Sequence, residues 1–374
     1  MGKIRMNNIL ISPAFYKNNI PVVFSTDANF VPQLYVAIKS LIEHSSKNNN
    51  YDIHILYDGL SEHHKEVFND FIDTNVSIRF TDMHDYMQEH KDKWYIHNWG
   101  NGKWHSLSVY YRFFIPEIFS KYEKVIFLDG DIIVQTDIAQ LYKIDLKKNW
   151  VGAVQDFSRF VKGDVIAAYA EETLKVPAIQ YFNAGILLFN IRELSHIHFL
   201  EKCLDVLQKL GKPLLNDQDV FNVVFKDKVQ YLSFDWNCLF WNVIYCRKNA
   251  KENLERDIYQ KFEESAKNAK IFHFAGGRKP WFEPNLQYAH IFWQYARQTP
   301  FYEVLLLDMF KRQINISIPM LPHVFRRHEY KMKYYKYKFL KYFVFGKKRK
   351  KYKDKKRKYK KLLKDIRQFM KKVS

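Results

Sequence analysis

A helix needs about 20 consecutive apolar residues to cross a lipid bilayer. The 374-residue sequence contains no unbroken apolar run of that length. Its start, MGKIRMNNILISPAFYKNN, is basic, but Asn, Pro and Lys interrupt the apolar residues that follow. These residues therefore lack the apolar core and the small-residue cleavage site of a secretory signal. We expect a protein that is made and kept in the cytosol, with residues 1–19 as an N-terminal extension.

Cysteine is scarce as well, and its three examples are Cys203, Cys238 and Cys246. Their number is odd and their spacing contains no C-x-x-C pair, so neither a disulfide scaffold nor a cysteine metal site is expected. Scattered cysteines of this kind are usually reduced thiols that pack as small apolar side chains.

Acidic residues are nearly missing from the C-terminal segment. Residues 321–374 hold 23 Lys and Arg but only 3 Asp and Glu, whereas the rest of the chain holds 37 of each. The whole net charge of +20 therefore lies in this segment, and the body of the chain is neutral. Any argument from the basic character of the protein concerns its C-terminal segment alone.

Strand-like and helical patterns alternate in the first part of the chain. Residues 20–27, IPVVFSTD, form an apolar run that ends in polar residues, as a buried parallel strand does. Residues 31–44 carry apolar side chains at the spacing of one helix face. A second strand, a second helix and a third strand follow at residues 51–58, 61–73 and 76–82. This alternation predicts an α/β fold with a largely parallel sheet, in which ligands bind beyond the carboxyl ends of the strands.

The pattern continues at wider spacing over the next 200 residues. We expect helices at 106–119 and 216–225 and strands at 151–155, 185–190 and 270–274. Strand signals end near Phe282, where the chain becomes aromatic and helical. The sequence therefore predicts one α/β domain over residues 20–284 and a helical, aromatic and lysine-rich segment over residues 285–374.

Two aspartates, Asp129 and Asp131, directly follow the apolar run VIFL, with Gly130 between them. The end of a buried strand is a costly place for two carboxylates unless a cation pairs with them. Carboxylate oxygens suit Mn²⁺ or Mg²⁺, ions that also bind diphosphate oxygens. Gly130 allows the chain to turn tightly and a ligand to approach. A metal site and an ordinary solvated turn are both consistent with this segment alone.

A second group of polar residues lies in FHFAGGRKPW, residues 272–281. His273 ends a predicted strand, Gly276 and Gly277 open a loop, and Lys279 follows. An imidazole, free backbone N–H groups and a lysine together suit a metal-bound diphosphate. The alternative is a hydrogen-bonded core histidine next to an ordinary loop.

Short polar side chains also border the apolar runs YFNAGILLFN and LLNDQDVFN. Asn183, Asp217 and Gln218 offer the kind of donors and acceptors that recognise sugar hydroxyls. Asn216 is placed to cap the helix that follows, which leaves Asp217 and Gln218 in its first turn.

Together and in this order, the segments resemble the retaining glycosyltransferases of family 8, which include bacterial lipopolysaccharide galactosyl- and glucosyltransferases and glycogenin. The matching segments are STDANF, SVYYR, VIFLDGDIIV, FNAGILLFN, NDQD and HFAGGRKPW, and the resemblance covers roughly residues 20–282. The resemblance implies a GT-A fold, a nucleotide-binding α/β sheet with a metal ion, usually Mn²⁺, at its centre. It also implies transfer of galactose or glucose from a UDP-sugar to a saccharide acceptor, as in lipopolysaccharide core synthesis.

The resemblance assigns roles to individual positions. The residues that match the metal ligands are Asp129, Asp131 and His273. Thr26, Asp27 and Asn29 match positions that bind the uridine, and Gly276 and Lys279 match positions that bind the diphosphate. Gly130, between the metal ligands, is also a donor-binding position. The residues that match sugar-binding positions are Arg112, Asp156, Asn183, Ala184, Asp217 and Gln218. Asp217 and Gln218 are the catalytic candidates, because a carboxylate or a carbonyl oxygen steadies a positively charged sugar.

The chain offers no carboxylate that is clearly suited to act as a nucleophile, and Gln218 is a poor one. We therefore expect a front-face mechanism, in which the leaving-group oxygen helps to deprotonate the incoming hydroxyl.

Two other classes of protein remain open. A catalytically silent sugar- or membrane-binding protein would share the fold, although the intact set of Asp129, Asp131, His273 and Lys279 argues against it. The other class is an RNA-associated protein that acts through its basic segment.

Lysine alternates with aromatic residues in YKMKYYKYKFLKYFVF, residues 330–345, and KKRKKYKDKKRKYKK follows. Each lysine near an anionic leaflet contributes about 1 kcal/mol of attraction, and Tyr and Phe settle at the interface. We expect peripheral binding to the inner face of the cytoplasmic membrane, close to a lipid-linked acceptor. Nucleic acid is the less expected partner, and a solvated tail is the third interpretation.

Overall fold

The computed structural model describes residues 10–94, 106–161, 163–239, 256–317, 321–340 and 346–373. The chain divides into two compact units, Met1–Tyr302 and Glu303–Ser374.

Parts of three sequence predictions lie outside the described residues: residues 1–9 of the N-terminal extension, Cys246, and residues 341–345 of the lysine–aromatic segment. Within the described ranges, Cys203 and Cys238 are free thiols, and both are buried.

The larger unit contains the described β-strands. In chain order they are β1 (Asn19–Thr26), β2 (Asn50–Tyr57), β3 (Val76–Asp82), β4 (Lys124–Leu128), β5 (Ile132–Val134), β6 (Val151–Gln155), β7 (Phe182–Asn190), β8 (Val229–Tyr231), β9 (Cys238–Leu239) and β10 (Ile271–His273). The main sheet has the order β3-β2-β1-β4-β7-β6-β8 over the described residues, and a small sheet has the order β5-β10-β9. Strand β7 is antiparallel to β4 and β6, and the other described pairings of the main sheet are parallel. The predicted α/β fold with a mostly parallel sheet is confirmed.

Helices flank the sheet and make up the C-terminal segment. The described α-helices are α1 (Val31–Glu43), α2 (Glu62–Glu66), α3 (His84–Glu89), α4 (Ile115–Ile118), α5 (Ala139–Tyr142), α6 (Val165–Glu172), α7 (Ile191–Leu194), α8 (Phe199–Leu210), α9 (Asp217–Val224), α10 (Arg256–Lys267), α11 (Ala289–Ala296), α12 (Tyr302–Ser317), α13 (Leu321–Leu340) and α14 (Gly346–Val373). The described 3-10 helices are Ala28–Phe30, Val67–Phe71, Lys91–Lys93, Leu107–Phe114, Phe157–Phe160, Ala178–Gln180 and Phe234–Asn237.

Two helices predicted from the sequence are partly of the tighter 3-10 type. In the predicted helix 61–73, α2 starts at a capping box of Ser61 and His64 and gives way to a 3-10 helix. The predicted helix 106–119 begins as a 3-10 helix and passes into α4, whose first turn contains Pro116. Proline suits a first turn because an N–H group would have no helical partner there.

Side chains of the main sheet alternate between two hydrophobic layers. In β4, Val125 and Phe127 belong to one layer, whereas Ile126 and Leu128 belong to the other. Helices α8 and α9 contribute to the first layer and α1 to the second. Because both faces are buried, each central strand is a nearly continuous apolar run.

The turn after β4 connects the two sheets. It leads from Leu128 in the main sheet to Ile132 in the small sheet, through Asp129, Gly130 and Asp131. Strand β10 pairs antiparallel with β5 and places His273 opposite Ile132. The histidine, which is far from the two aspartates in sequence, is thereby brought next to them at one edge of the main sheet.

Helix α11 belongs to the larger unit, although the sequence groups it with the C-terminal segment. Its Phe292 and Trp293 are buried, and the Trp293 indole donates to Pro280 O at 3.0 Å. The compact body therefore continues past residue 284 to Tyr302.

The smaller unit contains a helical hairpin of α13 and α14, whose tyrosine rings pack between the helices. Tyr337 stacks on Tyr359 at 5.8 Å with an interplanar angle of 8°, and it also meets Tyr352 at 5.7 Å. Tyr330 lies 5.7 Å from Tyr359, again measured between ring centroids. Among the described helices of the protein, none is both long and apolar enough to span a membrane.

Candidate active site

Asp129, Asp131 and His273 meet where the two sheets join. On one side, Asp129 N donates to Gly185 O of β7 at 2.7 Å. On the other side, Phe274 N donates to Asp131 O at 2.9 Å and fixes the end of β10 beside the turn. The His273 Nε2 atom lies 3.2 Å from Asp131 Oδ1 and 3.6 Å from Asp129 Oδ2. The structure thus brings the three predicted metal ligands together.

This group of side chains fits a divalent metal ion. One ligand atom from each of the three residues lies within 4.8 Å of the others, so a single ion is within reach of all of them. Gly185 leaves the necessary room, because a Cβ at this position would stand 2.2 Å from His273 Cε1 and 2.6 Å from Asp129 Oδ2. Carboxylate oxygens with an imidazole nitrogen suit an ion such as Mn²⁺.

Lys279 binds directly to one of these carboxylates. Its Nζ lies 2.5 Å from Asp131 Oδ2 and donates to Phe274 O at 2.8 Å. Burial disfavours the charged form of Asp131, but Lys279 and His273 outweigh burial and hold the pKa of Asp131 well below its usual range. Asp131 is therefore ionised at physiological pH, as a metal ligand must be.

The loop before Lys279 presents open backbone. Gly276 has a φ of +87°, in the left-handed region that favours glycine. Neither Gly276 nor Gly277 has a heavy atom within 4 Å of the place that a Cβ would take. A large anion such as a diphosphate therefore has room to approach the N–H groups of this loop.

Arg112 connects the turn after β4 to helix α9. Its Nη2 donates to Asp129 Oδ1 at 2.8 Å, and its Nη1 donates to Ala184 O at 2.7 Å. The same Nη1 lies 3.1 Å from Asp217 Oδ2, and the guanidinium lies 4.1 Å from the centre of the Phe127 ring. Arg112 thus holds two predicted site carboxylates in fixed positions at the edge of the sheet.

The carboxyl group of Asp217 is buried and has an unusual pKa. Burial is the main cause that raises the pKa of Asp217 to about 7; Arg112 opposes the rise and Asp129 adds to it. Asp217 therefore exchanges its proton near neutral pH, unlike an ordinary aspartate.

Gln218 is held by the strand on which Asn183 and Ala184 lie. Its Oε1 accepts from Asn183 Nδ2 at 2.8 Å and from Ala184 N at 3.2 Å. Its Nε2 donates to the Tyr181 hydroxyl at 3.2 Å, and that hydroxyl donates to Asp219 Oδ1 at 2.5 Å. Asn183, Ala184 and Gln218 thus lie in one hydrogen-bonded group, and Arg112 connects Asp217 to it through Ala184 O.

The start of α9 differs from the prediction in its cap. Asn216 occupies the N-cap position, but its side chain makes no cap hydrogen bond within the described part of the chain. Instead, Asp219 Oδ2 accepts from Leu215 N at 2.9 Å and fixes the backbone just before the helix. The cause is the backbone of Asn216, whose φ of 50° turns it away from the usual extended cap.

The predicted uridine-binding residues lie at the end of β1, at the same edge of the sheet, where Thr26 is the last strand residue and Asp27 and Asn29 follow. Asp27 Oδ1 accepts from Asn29 N at 2.9 Å and caps the first 3-10 helix, and Thr26 Oγ1 donates to Asp27 O at 3.1 Å. A Cβ at Gly130 would stand 3.1 Å from Phe30 Cε1. Gly130 therefore serves close packing of the two turns.

Asp156 is engaged in local contacts at the end of β6. Its Oδ1 accepts from Ser158 N at 3.2 Å and from Ser158 Oγ at 2.7 Å, and its Oδ2 accepts from Arg159 Nη2 at 3.0 Å. Both carboxylate oxygens thus bind protein groups, and the predicted contact of Asp156 with the sugar stays a prediction.

Sequence reasoning missed two residues of the site, Gly185 and Asn237. The Asn237 side chain binds His273 Nδ1 at 2.9 Å and Asn183 Oδ1 at 2.8 Å. A glycine inside an apolar strand is a signal of close approach, which would have pointed to Gly185. No local pattern points to Asn237, because its partner His273 lies 36 residues further along.

The α/β fold with an Asp-x-Asp pair at the edge of its main sheet is of the GT-A type that solved glycosyltransferase structures share. The family model described as glycosyl transferase family 8 matches residues 21–284, a range that contains every site residue described above. The chain belongs to glycosyl transferase family 8, so the family resemblance that its sequence shows is confirmed and the protein is a glycosyltransferase.

Individual relatives are distant in sequence. The chain is 25% identical to a lipopolysaccharide 1,2-glucosyltransferase of Escherichia coli, over 87% of each chain. It is similar to the apo structure of the bifunctional glycosyltransferase WbbM, with a TM-score of 0.67 and 29% identity over 80% of this chain and 53% of that one. The galactosyltransferase LgtC, in complex with donor and acceptor sugar analogues, shares the fold with a TM-score of 0.61 and 23% identity, over 75% of this chain and 96% of that one.

The matched length varies among these proteins. The chain spans about half of WbbM and 62% of a Haemophilus influenzae relative to which it is 26% identical. Family membership therefore gives the fold and the class of reaction, and the donor and the acceptor are matters for proposal.

Proposed function

We propose that the protein is a retaining, metal-dependent hexosyltransferase that moves galactose or glucose from a UDP-sugar to a saccharide acceptor. The observation that carries this proposal is the convergence of Asp129, Asp131 and His273 beside Gly185, with Lys279 bound to the same turn. Membership of family 8 supports sugar transfer as the reaction.

The residues of the site suit a donor that carries a diphosphate. When bound, a divalent ion, Mn²⁺ or Mg²⁺, supplies positive charge to a diphosphate leaving group. Asp129 and Asp131 would hold the ion through carboxylate oxygens, and His273 would hold it through Nε2. Lys279 and the open N–H groups of the loop at Gly276 place further positive potential on the same side.

The hydrogen bonding around the sugar pocket favours a front-face mechanism. The carboxylate of Asp217 is paired with Arg112 at 3.1 Å, which makes it a poor nucleophile. Both lone pairs of the Gln218 carbonyl oxygen are taken by donors, Asn183 Nδ2 and Ala184 N. Neither group is arranged to form a covalent sugar adduct, so we expect the leaving-group oxygen to take the proton of the acceptor hydroxyl.

A lipopolysaccharide or lipooligosaccharide core is the acceptor that we propose. The Escherichia coli relative that aligns over 87% of both chains is named for lipopolysaccharide glucosyl transfer. A lipid-linked saccharide of this kind would be presented at the cytoplasmic face of the membrane, where we place the enzyme as a peripheral protein.

The helical hairpin supplies a surface for this attachment. Met332, Tyr335 and Phe339 of α13 are 61, 51 and 63% exposed, and their spacing puts them on one helix face. Lysines surround them in sequence and would attract an anionic leaflet. The tyrosines that pack between the helices, Tyr337 among them, serve the hairpin itself, so fewer rings face the membrane than the sequence suggests.

The test is hydrolysis of a panel of nucleotide sugars by the purified full-length protein, with Mn²⁺, with Mg²⁺ and with EDTA. We expect release of UDP from UDP-galactose or UDP-glucose that requires the metal, and the preferred sugar names the donor. Binding of a UDP-sugar without turnover would identify a catalytically silent protein. If the protein neither binds nor hydrolyses any UDP-sugar, the proposed function is wrong.

A further inference from the structure

We infer that Asn237 is a positioning residue that fixes the tautomer of His273 and couples the metal ligands to the sugar pocket. Asn237 is 3% exposed and lies at the end of the 3-10 helix Phe234–Asn237, directly before β9. Strand β9 pairs in parallel with β10 and pairs Leu239 with His273. The inference rests on the proposed role of His273 as a metal ligand.

One backbone donor determines the direction of the hydrogen bonds around Asn237. Gly185 N donates to Asn183 Oδ1 at 2.9 Å, so this atom of Asn183 must be the carbonyl oxygen. The Asn237 atom that lies 2.8 Å from the same oxygen must then be the amide nitrogen, Nδ2. The other end of the Asn237 amide is its carbonyl oxygen, which lies 2.9 Å from His273 Nδ1. A carbonyl oxygen only accepts, so Nδ1 of His273 must carry a proton, whether or not Nε2 also carries one in the metal-free protein.

This tautomer is the one that metal binding requires. Because Nδ1 serves as the donor to Asn237, Nε2 is the ring nitrogen left to bind a metal ion, and it lies 3.2 Å from Asp131 Oδ1. The opposite tautomer would leave the Asn237 carbonyl oxygen without its donor in a buried place. A hydrogen bond to the second nitrogen of a ligating histidine fixes its orientation and raises its basicity.

The Asn237 side-chain amide is also hydrogen-bonded to a residue of the sugar pocket. Asn183, which accepts from Asn237, donates its own Nδ2 to Gln218 Oε1 at 2.8 Å. Gln218 in turn donates to the Tyr181 hydroxyl at 3.2 Å. A continuous series of hydrogen bonds between side-chain amides therefore connects His273 to Gln218. Loss of Asn237 affects both His273 and Gln218.

Two substitutions separate the two functions of Asn237. Asn237→Leu removes both hydrogen bonds and keeps the branching of the side chain, and we expect the Kd for Mn²⁺ to rise about 10- to 100-fold. Asn237→Asp keeps an acceptor for His273 but loses the donor to Asn183. We expect its Kd for Mn²⁺ to stay within about threefold of wild type, since a carboxylate also serves as the partner of a ligating histidine. Its affinity for UDP-galactose and UDP-glucose should fall about tenfold, whereas its affinity for UDP changes little, because the lost hydrogen bond lies on the sugar side.

The measurement is the electron paramagnetic resonance signal of free Mn²⁺, titrated into metal-free, full-length protein. The matched control is Asn190→Leu, which removes a buried amide that binds Lys147 O and Asn149 O at the far end of β7. We expect this control to leave the Kd for Mn²⁺ unchanged, and circular dichroism checks that each variant is folded. A folded Asn237→Leu protein with the wild-type Kd would overturn the inference.

A second measurement needs neither metal nor sugar. The ¹⁵N spectrum of histidine-labelled, metal-free protein reports which ring nitrogens carry a proton, with the His273 signals assigned by their loss in His273→Gln. We expect Nδ1 of His273 to be protonated in the wild type and to be protonated only in part in Asn237→Leu. An unprotonated Nδ1 in the wild type means that the inference is wrong. A protein that binds no Mn²⁺ but has Nδ1 protonated means instead that the proposed metal dependence is wrong.

Discussion

Gly185 on β7 lies so close to His273 on β10 that a single added methyl group would collide with the imidazole, with its Cβ 2.2 Å from His273 Cε1. The two strands belong to different sheets, and this contact marks the place where the sheets meet. A methyl group would also stand 2.6 Å from Asp129 Oδ2. Glycine is therefore the residue that leaves His273 and Asp129 in position to share a metal ion.

Gly185→Ala should disable the metal site. We expect the Kd for Mn²⁺ to rise at least about tenfold because the methyl group displaces two ligands. The free energy of unfolding should fall by about 1–3 kcal/mol because the site is overpacked. Gly277→Ala is the matched control, since a Cβ there meets open space. A Gly185→Ala protein with wild-type Mn²⁺ affinity would show that the described packing of β7 and β10 is wrong.

Lys279→Met should move the affinities for metal and for donor in opposite directions. Without a ligand, the Lys279 ammonium occupies Asp131 Oδ2 at 2.5 Å and competes with a metal ion for that oxygen. Its removal should leave Mn²⁺ affinity equal or higher, whereas the affinity for UDP should fall about 10- to 100-fold with the loss of a charged hydrogen bond.

Titration of Mn²⁺ and of UDP by calorimetry measures the two affinities of Lys279→Met separately. Lys270→Met, which removes a lysine paired with Asp235 at 2.9 Å, is the control and should change neither. Equal weakening of both affinities in Lys279→Met would contradict the competition.

The raised pKa of Asp217 should be visible in the pH dependence of stability. Burial, with Asp129 adding and Arg112 opposing, raises this pKa to about 7, compared with about 3.9 in an unfolded chain. The folded state therefore binds the extra proton, and the resulting stability is complete below about pH 4 and is lost as the pH rises through 7.

Asp217→Asn removes this ionisation. Relative to wild type, its free energy of unfolding should increase by about 2 kcal/mol or more between about pH 5 and pH 8, at about 1.36 kcal/mol per pKa unit. Denaturant unfolding of the metal-free proteins measures this difference. Asp145→Asn, at an exposed carboxylate, should show no such trend, and a pH-independent difference for Asp217→Asn would mean that Asp217 titrates normally.

The exposed face of α13 should bind lipid. Replacement of Met332, Tyr335 and Phe339 by serine should weaken sedimentation of the full-length protein with vesicles of anionic phospholipid by about tenfold or more, since each side chain contributes apolar burial. The hydrolysis of UDP-sugars in solution should not change.

Val165→Ser with Ile179→Ser removes two exposed apolar side chains of the larger unit and is the matched control for the vesicle experiment. Retention of vesicle binding by the triple variant would place the contact elsewhere. Preferential, salt-dependent binding of RNA over vesicles would favour the nucleic-acid interpretation of the lysines.

The position of the site could be predicted because its signals are local. Asp129 and Asp131 follow an apolar run, and His273 ends another. Polar residues at the ends of buried strands are expected at the ligand-binding edge of an α/β sheet, whereas the antiparallel pairing of β10 with β5, which brings His273 to the aspartates, is not visible in the sequence. The structure brings them within reach of one ion.

The partners of these residues could not be predicted, because they depend on contacts between distant segments. Asn237 reaches His273 across 36 residues, and Lys279 reaches Asp131 across 148. The pairing of α13 with α14 is a tertiary contact too, and it places Tyr337 between helices where the sequence alone suggests an exposed ring. Periodicity also does not separate α-helix from 3-10 helix, as in Leu107–Phe114.

The central claim is that Asp129, Asp131 and His273 hold a metal ion that the sugar-transfer reaction requires. The most direct test measures Mn²⁺ binding and UDP release from the preferred UDP-sugar on the same samples of wild type, Asp131→Asn and the control Asp145→Asn. We predict that Asp131→Asn loses both Mn²⁺ affinity and UDP release by about 100-fold or more, while the control retains both. Wild-type turnover by Asp131→Asn, or equal turnover of the wild type in EDTA, would contradict the claim.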